Sequence, residues 1–449
     1  MERMGTFATT KRLFSISLHT CILLLLAIIV LNFSPFGTSD RADKYSQDIF
    51  NNLMSKFIYP TDARDEISVL LLTDEGLERH QQGIWPARYD FHGQVLNQLL
   101  IYQPKAVFID MLWMNMDKPG SSYLVRVLER YRDRNIPVFV VAISPQRFQQ
   151  MWPELIGLVT PVSAFVDIDR TDFVARSYPS HHGALDSAAF ALAYALDIFP
   201  QSHKPIKTMD IFWSSVDNTF NEWLTEPSSA ETPSFVSTIT QGFTDVNLNH
   251  PYHNTLVVRD LLSAVNQKDE ETWQVAESIL TNRVIFYGAN LTGVQDFVFT
   301  PNRDILPGVY YHSMAFDNLI TWGEDYKSHQ TGNHIFLIQI LVVLPVILLA
   351  VFNQHQLIGK QRLCDITCDL SNRKTAKSTF GKFFIMTCSI FICLFFWSLF
   401  WAWILFEFFN ASAASWLSFF EVLSYGFIIS KLELISKIEN LIVNKEGTI

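Results

Sequence analysis

The chain has 449 residues, a formal net charge of −10, 49% hydrophobic residues and 5 cysteines. That length exceeds one typical domain. The acidic balance and the lack of a basic aromatic stripe speak against nucleic acid as a partner, and the few cysteines exclude a disulfide-rich scaffold.

Four stretches are apolar enough to predict membrane helices. After a short N-terminus (1–12), the first runs from Leu13 to Phe33, long enough at 1.5 Å per residue to cross roughly 30 Å of hydrocarbon. No small-x-small cleavage site follows Val30, so it reads as an anchor and not a signal peptide. The others lie at Ile335–Phe352, Phe383–Phe406 and Ala413–Ser430. Basic residues gather before the first span, in the loop 353–382 (Lys360, Arg362, Arg373, Lys374, Lys377, Lys382) and after the fourth. Charge bias therefore predicts that both termini and this loop are cytoplasmic, and that residues 38–333 lie outside. All 5 cysteines fall in the membrane or cytoplasmic segments, as expected for a domain in an oxidising compartment. Cys364 and Cys368 have a CxxxC spacing without a second pair or a nearby histidine, a poor metal motif.

The outer block alternates strand-like and helix-like runs. Strands are predicted at Ile67–Thr73, Lys105–Ile109, Ile136–Ile143, Val162–Ile168 and Arg283–Tyr287, with helices near 90–102, 123–134, 184–196 and 270–280. Near-continuous apolar strands imply a largely parallel sheet covered by helices on both faces, an α/β fold. The stretch 201–260, rich in Pro, Ser, Thr, Asn and Asp, reads as an irregular insertion.

Acidic residues follow the strands: Asp74 and Glu75, Asp110, Asp167 and Asp169, and Asp296 in a loop opened by Gly288. Ligands of open α/β sheets bind beyond the strands' carboxyl ends, which would gather Asp74, Asp110 and Asp296 on one rim. Three carboxylates there would suit a cation, an amine or sugar hydroxyls. Alternatively, these aspartates cap helix N-termini. The pair His181–His182 reads as a surface turn ahead of a metal site, and Trp85 as a packing residue ahead of a ligand platform.

The run Thr73-Asp-Glu-Gly-Leu-Glu-Arg-His-Gln-Gln-Gly-Ile-Trp-Pro-Ala-Arg88 resembles the opening of the type-2 CHASE domain, an extracytoplasmic sensory module of bacterial receptors. The matching positions are Asp74, Glu75, Gly83, Trp85, Pro86 and Arg88. Pro104–Trp113, with Asp110, is similar to the family's second strand. Asp169–Arg176 is similar to an acidic step ending in arginine, with Phe173 where glycine is common. A closing block carries Gly288, Gly293, Asp296, Pro301, Pro307, Gly308, His312 and Asp317, with Asn290 where threonine is common. The resemblance spans roughly residues 40–325. It implies a sensory function, with Asp74, Asp110 and Asp296 as ligand-binding carboxylates, Arg176 pairing with them or with an anion, and His312 hydrogen-bonding or reporting pH.

Family members generally continue into a cyclase or kinase. Here only 431–449 follow the last span, so the expectation is a non-enzymatic subunit that passes its state to another protein through its helices and cytoplasmic segments. His312 and Asp317 also share an HxxxxD spacing, but on a helix it puts them on different faces. Glu421 inside the fourth span is a candidate functional group, because a buried charge in a bilayer is costly. The amphipathic tail 431–449 carries Leu434, Ile438 and Leu441 at helical spacing, a stripe for a partner helix or the membrane surface. No cofactor is implied, the metal question stays open, and so does the oligomeric state, a homo-oligomer included. Two other readings remain: an assembly subunit of an envelope complex, using the domain for protein contacts, and a metal-dependent hydrolase.

Overall fold

A computed structural model of the chain describes residues 38–114, 119–199, 208–214, 252–267, 270–294, 296–302, 305–328, 395–404, 406–408 and 410. The chain divides into two compact units, 51–329 and a second made of 1–50 with 330–449.

In chain order the elements are α1 (Thr38–Ile58), β1 (Ile67–Thr73), α2 (Asp74–Gln81), α3 (Tyr89–Leu99), β2 (Ala106–Ile109), α4 (Ser121–Asp133), β3 (Val138–Val141), α5 (Pro145–Met151), β4 (Thr160–Val162), β5 (Ser177–Tyr178), β6 (His181–His182), β7 (Leu185–Asp186), α6 (Ala188–Ala195), β8 (Met209–Asp210), β9 (Asn254–Val257), α7 (Val258–Gln267), α8 (Glu270–Leu280), β10 (Val284–Asn290), β11 (Phe297–Phe299), β12 (Ile305–Pro307) and α9 (Val309–Trp322). Six strands form one sheet in the order β4-β3-β2-β10-β1-β9, every neighbouring pair parallel. The chain lays down β1, leaves a gap, and builds β2, β3 and β4 outward. It returns to the other side for β9 and fills the gap last with β10.

The two central strands read ISVLLLT and VIFYGAN and are buried along nearly their whole length. A parallel strand covered on both sides has no solvent face, so continuous apolar runs replace alternation. Leu70, Leu72, Ile109, Ile285 and Tyr287 face one layer, formed by Phe91, Val95 and Leu99 of α3, Leu124 and Leu128 of α4, Leu261 of α7 and Ile279 of α8. On the opposite face Phe286 meets Phe316 of α9 at 5.8 Å, and Phe108 meets His312 of the same helix at 5.3 Å. α9 is buried from Val309 to Leu319, which explains why its sequence is apolar nearly all round. Local signals start the helices: Thr73 caps α2 through the Gly76 amide, and Ser144 caps α5 with Pro145 in the first turn.

Four sequence expectations need correction. The strand expected at 162–168 ends at Val162; beyond it, polar side chains of a loop take over the backbone groups. The helix expected from 184 begins at Ala188, because Gly183 at φ 62° turns the His181–Asp186 segment into a small hairpin. The irregular stretch expected to reach 260 instead yields edge strand β9 and helix α7, signalled by the short apolar run Leu256-Val-Val258. The expected loop at Gly288 is still strand: β10 runs on to Asn290, which pairs with Thr73 of β1. A Cβ on Gly288 would lie 2.5 Å from the Val309 Cβ, so glycine lets α9 lie directly on the sheet. Residues 201–207 and 215–251 fall outside the described residues.

So do the expected spans 13–33, 335–352 and 413–430, the loop 353–382, the tail 431–449 and Glu421. Within the expected span 383–406, residues 395–404 are helical. Among the described residues no helix is long and apolar enough to cross a membrane.

Candidate functional site

Asp110 follows β2 directly, and its amide donates to the Tyr287 carbonyl of β10 at 2.8 Å. This backbone bond continues the ladder one residue past the strand and fixes the carboxyl at the sheet's carboxyl edge. Asp296 comes from the turn before β11. Its carbonyl accepts the Gly308 amide at 2.9 Å, and its Oδ1 would sit 2.4 Å from any Cβ placed on Gly308. Glycine at 308 thus lets this carboxyl lie against the start of α9. His312, one turn into α9, brings Nε2 to 4.0 Å from Asp110 Oδ1.

The opposite ring nitrogen, Nδ1, lies 2.8 Å from the Tyr178 hydroxyl, which itself accepts the Ala189 amide at 3.0 Å. The hydroxyl proton is then available for Nδ1, and this network assigns the His312 proton to Nε2, facing Asp110. Burial pushes the Asp110 carboxyl well above the usual carboxylate range, and the neighbouring Asp296 charge adds to the rise. Burial raises Asp296 too. The same burial lowers His312 to about 3, so the imidazole is neutral. At 4.0 Å with a neutral ring, Asp110 and His312 form no salt bridge. The three groups set a half-buried acid pair beside a buried, neutral histidine, with apolar rings around the imidazole. Two carboxyls held this way retain a proton that an incoming cation or amine would displace.

The other two expected binding residues do not join them. Asp74, in the first turn of α2, is exposed and accepts the Thr292 amide at 3.0 Å and its hydroxyl, pinning the loop after β10 to the end of β1. Asp74 stays at the carboxyl end of β1, and the geometry gives it a backbone-tethering role. Arg176 closes its own loop, with Nη2 at 2.7 Å and Nη1 at 3.0 Å from the Asp172 carboxylate and Asp169 at 3.7 Å. Of the motif residues, Gly83 (φ 72°) ends α2 with its amide on the Leu77 carbonyl at 3.2 Å. The Trp85–Pro86 peptide is cis. Arg88 is exposed and pairs with Asp90 at 3.0 Å, holding the start of α3. The Pro301 carbonyl accepts Asn52 Nδ2 at 3.3 Å, and Pro307 pairs with Phe297 across the β11–β12 hairpin.

Sequence reasoning missed Tyr178, whose role depends on a fold contact 134 residues away. It also missed His253, a residue of the stretch read as irregular. His253 Nε2 lies 3.0 Å from Asp317 Oδ2, and its Nδ1 lies 3.1 Å from Ser313 Oγ. The order Ser–His–Asp is that of a nucleophilic triad. Here, however, all three residues are at most 1% exposed, Ser313 Oγ also bonds the Tyr310 carbonyl at 3.1 Å, and Asp317 accepts the Tyr59 hydroxyl. The cluster tethers α9 to β9 and leaves no approach for a substrate. Among the described residues no group of three or more His, Cys, Asp or Glu side chains is arranged to hold a metal ion.

A parallel sheet flanked by helices, with ionisable groups collected past the strands' carboxyl ends, defines an α/β domain. The CHASE2 domain family model matches residues 22–351. The chain belongs to that family, a family of sensory domains. No curated protein and no solved structure matches the chain.

Proposed function

We propose that the chain is a membrane-anchored sensory or regulatory subunit. Residues 38–333 bind a ligand or a protein outside the cytoplasm, and helices at 13–33, 335–352, 383–406 and 413–430 carry the bound state to a separate partner. In this reading the protein sits in the bacterial inner membrane with both termini in the cytoplasm, and it is not an enzyme. The observation that carries it is membership of a sensory family across an α/β domain whose acid pair lies at the carboxyl ends of the strands. Signalling requires the ligand to favour one of two helix arrangements, since a ligand indifferent to both shifts nothing.

Reporter fusions and partner capture test this together. Alkaline phosphatase joined within 38–333 should be active, and the same reporter within 353–382 inactive. Tagged protein extracted gently from native membranes should bring a stoichiometric partner with a kinase, cyclase or transport domain, whose output changes in Asp110→Asn and Asp296→Asn chains. An output indifferent to both substitutions removes the basis of the sensory reading.

One observation favours an assembly subunit as second reading. The β11–β12 hairpin exposes Phe297, Phe299 and Ile305, each about two-fifths accessible, an apolar surface suited to protein contact. Capture of envelope components, with both substitutions tolerated, would select it.

A further inference from the structure

The segment linking α2 to α3 and the residues just after Asp110 border a cavity of about 260 Å³. It lies past the carboxyl end of β2, where open α/β sheets take ligands. Its walls include Trp85, Tyr89, His92, Met111, Trp113 and Met114, and no described residue lining it is a carboxylate, a lysine or an arginine. His92 is the one described wall residue that ordinarily titrates near neutrality. Its Nδ1 lies 3.1 Å from the Tyr287 hydroxyl, and burial lowers it to about 4, so the described wall is uncharged at neutral pH. At the mouth Trp85, Leu112 and Met114 are 38%, 46% and 37% exposed, whereas Ala87, Tyr89, Met111 and Trp113 are buried.

Contacts behind the wall brace this hollow. Tyr89 packs edge-on against Trp152 at 4.7 Å and Trp113 at 5.8 Å, while Trp152 Nε1 donates to the Trp113 carbonyl at 3.1 Å. The Tyr287 hydroxyl of β10 anchors His92 from the sheet side. A wall fixed by its own neighbours loses little freedom when a ligand arrives, so burial of apolar surface goes into affinity. Met111 and Met114 add soft, adjustable side chains that can follow an occupant's outline. An apolar cavity of about 150 Å³ takes benzene. This one has room for a second fused ring. A charged occupant would lose water there, with no charged side chain in the described wall to replace it.

We propose that this cavity binds a small, uncharged, predominantly apolar molecule with about the bulk of two fused rings. Its role as the sensed ligand rests on the sensory reading above, whereas binding itself does not. Naphthalene and the naphthoate anion, alike in ring system and differing by one carboxylate, are the probes. The readout is methyl NMR of the full chain in detergent, with its 10 methionines labelled. Naphthalene should shift the Met111 and Met114 methyls along one saturating curve, while Met209, buried in β8, stays still. Saturation separates the cavity from partition into micelles, which gives no plateau. Naphthoate should bind at least about tenfold more weakly at neutral pH, because its carboxylate loses water against an uncharged wall. Ala87→Leu narrows the cavity and should weaken naphthalene about tenfold. Trp85→Ala, at the exposed mouth, should also weaken it and leaves the core intact. Absence of a saturable shift at the two wall methyls overturns the proposal, as does naphthoate binding as tightly as naphthalene, or a naphthalene affinity unchanged in both variants. Binding that passes these tests but alters no partner output would retain the site and defeat the sensory reading instead.

Discussion

Asp110 with Asp296 and Asp172 with Arg176 use similar residues at similar points, just after strands or in loops at the sheet's edge, yet they are opposite electrostatic objects. The Asp169–Arg176 loop encloses its own cation: Arg176 grips Asp172 with two bonds, Thr171 bonds Asp169, and Val174 donates to Asp172. Its charges are made permanent by pairing. Among the described residues the acid pair has no cation beside it, only a histidine that burial keeps neutral, so its charges are negotiable. Charge in the first region is scaffold; in the second it is a variable a ligand can set.

The largest expected effect comes from acid. His312 and His92 are held neutral, with pKa values lowered to about 3 and about 4 by burial, so the unfolded chain binds more protons below the ordinary histidine value. Their stabilisation is full above about pH 6.5 and is lost as pH falls, by roughly 3 kcal/mol for each histidine between pH 6.5 and 4. Asp110 and Asp296 act with the opposite sign. Raised carboxyls stabilise most below about pH 4 and lose that contribution as pH climbs through their folded values. Denaturant unfolding from pH 4 to 8 should therefore show a shallow slope. His312→Gln should flatten the acid side, and Asp110→Asn should raise stability at pH 7 while steepening the acid loss. If Asp110→Asn destabilises at pH 7, the acid pair is ionised and paired, and the contrast between the two regions fails.

Next in size is Arg176→Ala, which leaves Asp169 and Asp172 facing each other. Breaking a fully buried pair costs several kcal/mol, but Asp172 is 38% exposed, so the loss should be about 2 kcal/mol and should shrink in high salt. The same salt series should leave the unfolding of Asp110→Asn nearly unmoved. Gly308→Ala works on the acid pair from its other side. A methyl 2.4 Å from Asp296 Oδ1 forces the flexible carboxyl to turn away, at about 1 kcal/mol, and without its neighbour's charge Asp110 should titrate lower. Carbonyl NMR of Asp110 checks the direction; an unchanged Asp110 titration would separate the two acids.

Much of this contrast could be read in advance, and part could not. β1 and β2 announced themselves as unbroken apolar runs, and the strand-end rule drew attention to Asp110 and Asp296. Nothing local says that β10, some 175 residues after β2, inserts between β1 and β2, and that insertion is what separates Asp74 from Asp110. Strand-end position marks an edge of the sheet; it does not say which way each loop turns, so Asp74 found Thr292 while Asp296 found Gly308. Tyr178 and His253 were invisible because their partners are set by helix α9 crossing the sheet. β9 hid because its four residues follow a long polar stretch, and a short edge strand carries little periodic signal. Arg176 and Asp172, four apart, were legible as a local pair; their isolation from the acid pair was not.

The smallest effect tests the acidic loop's own geometry. Phe173 sits at φ 63°, in the left-handed region that side chains with a Cβ avoid, and it is 62% exposed. The loop imposes that angle: the Phe173 amide bonds the Asp169 carbonyl at 2.8 Å and the Val174 amide bonds Asp172 Oδ1 at 3.1 Å, so the chain must reverse at 173 to deliver Asp172 to Arg176. Glycine adopts this angle without steric cost, and the relief outweighs the extra freedom it gives the unfolded chain. Phe173→Gly should therefore raise stability by about 1 kcal/mol, a few degrees in the melting temperature for a domain of this size. The gain should vanish in the Arg176→Ala background, where the loop is no longer held to that angle. A gain independent of Arg176 would mean that the turn stands without the ion pair. Arg176 would then be a passenger on the loop, and the division between a scaffold of fixed charges and a site of negotiable ones would rest on the acid pair alone.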